Sequence, residues 1–143
     1  ALVLVGVLAK ATVALNPDTM REAQREAFPV ELAEHLQSAP PEGKLFNSYN
    51  WGGYLLFAAP DVPVYADGRT DLYGDTVLRD YLSVAFVRDG WDATLDEQEI
   101  AAVAIEASSV LAQMLRERPD QWREQRFDDG RSALFERVRS TDE

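Results

Sequence analysis

The sequence predicts an α/β domain, a three-layer Rossmann-like sandwich whose mostly parallel sheet carries an antiparallel C-terminal hairpin at its edge. Two observations lead there. Stretches with apolar residues at helical spacing alternate with short β-branched runs. Alternation of this kind favours parallel strands joined by helices. Asp129-Gly130 sits between two stretches of alternating polarity, as in a hairpin turn. At 143 residues the chain is long enough for one well-built core and too short for two. Its 46% hydrophobic and 27% charged residues are those of a folded globular protein.

The chain opens with ALVLVGVLA, nine uncharged residues ending at Lys10, about half the length a bilayer span needs. Three readings are open for it: the end of a transmembrane helix, a first strand, or a core helix segment. With no initiator Met, the first is preferred. Residues 1–28 are therefore expected to form an apolar segment and helical linker, and residues 29–143 the α/β domain.

From Pro17 the text is helical, with Asp18 or Thr19 as N-cap. Pro29 then ends one helix and opens a second, PVELAEHLQ. SAPPEGK is a turn, and KLFNSY, 44–49, a short buried strand. Asn50 could cap a helix running WGGYLLFAA to Pro60. VPVYAD, 62–67, reads as the best strand of the chain, ending in the polar loop DGRTD. Residues 75–89 carry apolar side chains at helical spacing. GWDATLDEQEI is a connection with a short helical turn. AAVAIEA, 101–107, is the next strand, followed by a helix capped by Ser108 or Ser109 and closed by Pro119. QWREQRFDDGRSALFERV is the hairpin.

With 25 acidic against 14 basic side chains, the net charge of -11 makes nucleic acid an unfavourable partner. No cysteine is present, so thiolate chemistry is excluded. His35 is the single histidine. It falls among charged neighbours, is read as a solvated helix position, and leaves triad and zinc chemistry poorly supplied. No G-x-G-x-x-G or Walker A spacing marks a phosphate loop. No cofactor is implied.

In an open α/β sheet the functional crevice lies beyond the carboxyl ends of the strands. Two conspicuous stretches, NSYNWGG and DGRTDLYG, fall there if their strands are neighbours. The candidate cluster is Asn47, Asn50, Trp51, Tyr54, Asp67, Arg69, Asp71 and Tyr73, with no catalytic residue assigned. Asp67 and Asp71 could serve a metal or acid/base chemistry, but Arg69 between them favours a guanidinium that stitches the loop. Gly52 and Gly53 suit either close packing of helix on sheet or a positive φ at the turn. The aromatics suit either a core or a sugar platform.

The pairing of N-W-G-G-Y with D-G-R-x-D-x-Y resembles the soluble C-terminal domain of bacterial polytopic membrane proteins of the glycosyltransferase (GT-C) type, over residues 29 to 138. More distantly it resembles the C-terminal domain of the oligosaccharyltransferase catalytic subunit. There a W-W-D-Y-G motif helps hold the acceptor peptide. Its first Trp falls on Asn50, its second on Trp51 and its Asp on Gly52, so the carboxylate is missing. The resemblance implies an extracytoplasmic, membrane-associated domain of a protein using a polyprenyl-phosphate sugar donor, with catalytic aspartates outside this chain. Its implied partners are the membrane portion of the same polypeptide and a lipid-linked sugar or glycan acceptor. A soluble module binding a small ligand around residues 47–73 is the alternative.

Overall fold

The computed structural model describes residues 16–69 and 74–138. It is a mixed α/β fold with six α-helices and four strands among those residues. Helix α1 spans Pro17–Ala27 and α2 Val30–Ser38. The Oδ1 of Asn16 accepts from the Asp18 amide at 2.9 Å, so Asn16 caps α1 rather than Asp18 or Thr19. Phe28, extended ahead of Pro29, ends it.

Strand β1 is Lys44–Asn47. A 3-10 turn, Tyr49–Trp51, leads into α3, Gly52–Ala58. Helix α4 is Gly74–Ala85 and α5 Trp91–Glu97. Strand β2, Ile100–Glu106, precedes α6, Val110–Arg116, whose N-cap is Ser109. The hairpin is β3, Trp122–Arg126, and β4, Ser132–Arg137.

The sheet order is β1-β2-β4-β3. Only β1 and β2 are parallel; β2 with β4 and β4 with β3 are antiparallel. The expected mostly parallel sheet is thereby corrected: the C-terminal hairpin does lie at one edge, with β3 outermost, but its second strand pairs with β2, so antiparallel pairings outnumber the parallel one. The second correction concerns VPVYAD, which forms no strand. Pro63 has no amide hydrogen to give a ladder. The backbone of Tyr65 and Ala66 is bonded instead to the side chain of Asn47.

The hairpin turn also differs from a two-residue Asp-Gly turn, since residues 127–131 separate the strands. Asp129 organises this longer loop. Its Oδ1 accepts from the Arg131 and Ser132 amides, both at 2.9 Å, and its Oδ2 from the Ser132 hydroxyl at 2.7 Å. Burial pushes its carboxyl up, but these bonds outweigh burial and hold it below the usual range.

Strand β2 explains the core. Its side chains alternate, so Val103 and Ile105 face one layer, with Phe46 and Phe135, against Tyr81, Trp91 and Leu111. Ala102 and Ala104 face the other, with Leu45 and Leu134, against Leu32, Leu36, Trp51 and Leu55. Helices thus cover both faces, and a strand covered on both faces reads as an unbroken apolar run. Each large side chain buried here contributes about 1.5–3 kcal/mol. His35 is half-buried, not solvated. Its ring is tilted against Phe127, and its Nδ1 lies 3.3 Å from Gln125 Nε2.

Candidate functional site

The carboxyl ends of the parallel pair β1 and β2 meet at Asn47, Ser48 and Glu106. The parallel ladder runs one residue past β1, where the Ser48 amide donates to the Ala104 carbonyl at 2.8 Å. The Ser48 hydroxyl then donates to Glu106 Oε1 at 2.6 Å, joining residues 58 apart in sequence. The spacing of apolar residues gives no hint of this pair. Its one signal is a carboxylate closing an otherwise apolar strand.

Asn47 is fully buried and acts as a clasp. Its Oδ1 accepts from the Tyr65 amide at 2.7 Å and the Ala66 amide at 3.3 Å. Its Nδ2 donates to the Ala66 and Ser48 carbonyls at 2.7 and 2.8 Å. Two acceptor and two donor positions exhaust a primary amide. Asn47 thereby does for residues 65–66 what a neighbouring strand would do.

Gly52 completes this corner. A Cβ on it would stand 2.1 Å from the Ala66 carbonyl oxygen and 2.7 Å from the Asp67 Cα. The start of α3 therefore rests directly on residues 66–67, and no side chain fits. Gly53 has open space where its Cβ would be. Packing thus requires glycine at position 52.

Asp67 is buried. Arg69 approaches it through Nε at 3.0 and 3.1 Å and Nη2 at 2.6 Å, and its amide donates at 2.8 Å. The loop is stitched by this two-pronged ion pair, which holds the carboxylate in place. Asp71 and Tyr73 lie outside the described residues. Asn50 is exposed, Trp51 is buried in the core beside α2, and Tyr54 is half-buried. The Tyr54 ring stacks on Phe28 at 4.6 Å with planes 12° apart. Burial first, then the Glu34 carboxylate, pushes its phenol above the ordinary value.

The structure therefore draws Asn47, Trp51, Asp67 and Arg69 into one corner around Gly52. A four-ring cluster backs it: Phe46 lies 5.1 Å from Tyr81 and 5.2 Å from Tyr65, and Tyr49 6.0 Å from Tyr81. The Tyr81 hydroxyl accepts from the Tyr49 amide at 2.8 Å. Burial raises the Tyr81 phenol, so this oxygen stays protonated. Beyond Glu106 a crevice of about 140 Å³ opens between Phe28, Trp51, Asp129 and Arg131. The Arg131 guanidinium closes one wall by donating to the Arg25 and Glu26 carbonyls at the end of α1. Among the described residues no group of three His, Cys, Asp or Glu side chains is arranged to hold a metal ion, and no helix is long and apolar enough to cross a membrane.

No protein-family model matches the chain, and no curated protein matches it. Among solved structures it is similar to the C-terminal globular domain of an oligosaccharyltransferase, AglB-S2, from Archaeoglobus fulgidus. The match has a TM-score of 0.54 at 9% identity and covers 76% of this chain and 95% of that domain. At that identity the likeness is one of fold: this chain shares its architecture with an oligosaccharyltransferase C-terminal domain.

Proposed function

We propose that this chain is the extracytoplasmic C-terminal domain of a polytopic membrane protein of the glycosyltransferase type that uses a polyprenyl-phosphate sugar donor. In this reading the domain is not the catalyst. The observation that carries it is the fold likeness, which spans nearly the whole of the oligosaccharyltransferase domain. The chemistry of the strand-end corner agrees with a scaffold: Asn47 and Asp67 are engaged by the fold itself. General acid/base work needs a group free to exchange a proton with substrate. The domain packs on the membrane portion of the same polypeptide and presents the strand-end crevice to the acceptor or donor.

The experiment is fractionation of the full-length gene product. It is expected to stay with membranes after alkaline carbonate extraction, with residues 16–138 cut by protease added from the extracytoplasmic side. Recovery in the soluble fraction would sink the proposal. The second reading, a soluble small-ligand module, is favoured by the crevice lined by Trp51, Phe28 and Glu106. An aromatic wall beside a carboxylate suits a small polar ligand. Soluble full-length protein that also binds glycans, with binding lost in Glu106→Gln, would favour it.

A further inference from the structure

Eight large apolar side chains are exposed among the described residues, and four of them, Met20, Phe28, Leu56 and Phe57, belong to α1, its C-terminal flank and α3. Phe28 brings these segments together by stacking on Tyr54. Met20 and Gln24, four apart, share one face of α1, and Tyr54 and Phe57, three apart, share one face of α3. The result is one apolar face running from Met20 through Phe28 and Tyr54 to Phe57, a residue 80% exposed.

Helix α1 buries none of its own residues, and an eleven-residue helix with no packed face is marginal in water. What adjoins it in sequence narrows the choice of cover. Residues 1–9 carry no charge and no polar side chain, and they lead through one lysine to the capped start of this same helix. We propose that the face formed by α1 and α3 lies on the interfacial region of a lipid bilayer. Phe57 and Leu56 enter the headgroup and acyl boundary, and the charged side of α1 stays in water. The attraction is apolar. With a net charge of -11, anionic headgroups oppose binding, so zwitterionic lipid is preferred. This deepens the reading above by naming the face turned to the membrane, yet the two fail separately: fractionation of the full-length protein tests that reading, and vesicle contact by this chain tests this one.

The absence of cysteine makes a single label unambiguous. Phe57→Cys and Phe86→Cys, each in the full chain, are labelled with an environment-sensitive fluorophore and mixed with phosphatidylcholine vesicles. Phe86 is the control, since it is also well exposed but follows α4, which packs on the opposite face of the sheet. Emission at position 57 is expected to shift to the blue and rise about two-fold or more, with little change at position 86. Replacing roughly a third of the lipid by phosphatidylglycerol is expected to weaken the response. No change at 57, equal change at both positions, or stronger binding to the anionic vesicles would overturn the proposal.

Discussion

Gly52→Ala is the sharpest test of the strand-end corner. The added Cβ would sit 2.1 Å from the Ala66 oxygen, and real contacts of this kind stay above 3.0 Å, so the gap must open by about 0.9 Å. Neither side yields cheaply. Ala66 is held by Asn47 through its amide and its carbonyl, and Gly52 leads into Leu55, which is buried against α2. Overpacking of this kind costs roughly 1–3 kcal/mol. Straining the Asn47 bonds adds about 1 kcal/mol, and alanine's better helix propensity returns up to about 1. The net expectation is a loss of about 1–3 kcal/mol. Urea unfolding reads it as a midpoint lowered by roughly 1 M, given slopes of about 1–3 kcal/mol per M for small proteins. Gly53→Ala, one residue on in open space, should be neutral or stabilising by up to about 1 kcal/mol. A Gly52→Ala midpoint equal to wild type would refute the close contact and the requirement for glycine at this position.

Asn47→Ala should destabilise by about 2–4 kcal/mol, because it orphans the Tyr65 and Ala66 amides in a buried corner; amide hydrogen exchange should show both losing protection. At the other end of the sheet, the hydrogen bond from Arg116, at 2.5 Å, holds the Glu124 carboxyl below its usual range. A lowered folded value means its contribution is complete above the unfolded value and fades as pH falls through the folded one. The stability gap between wild type and Glu124→Gln should therefore be full at pH 7 and shrink below about pH 4.5. A gap independent of pH in urea melts between those values would contradict the pairing.

Local patterns were legible in the sequence. The helices around 17–36, most of the one read over 75–89, which ends at Ala85, the strand read over 101–107 and the hairpin all announce themselves by spacing, proline placement or the Asp129-Gly130 pair. The direction of the sheet was not, because nothing in residues 132–137 says that this strand will pair with β2, some thirty residues earlier. The segment 62–67 has the composition of a strand, but strand composition measures fit to a pleated surface, not the presence of a partner. Here the partner is one side chain, Asn47, 18 and 19 residues away, and no periodicity reveals such a bond. In the site, the pairing of Arg69 with Asp67 was readable because the two are close in sequence. The Ser48 to Glu106 bond was hidden by distance along the chain, as was the crevice beside it. Gly52 was readable as a close-packing residue, but not what it packs against.

The proposed role of this domain is to support sugar transfer without supplying a catalytic group. It is tested most directly by measuring transfer from a polyprenyl-phosphate-linked donor by the full-length protein, comparing wild type with Asp67→Asn and Glu106→Gln after their folding has been checked by melting. Wild-type transfer that falls by less than about ten-fold in both variants is the predicted result, since removing a general acid or base typically costs about 100-fold or more. No transfer by wild type, or a loss of that larger size in either folded variant, would contradict it.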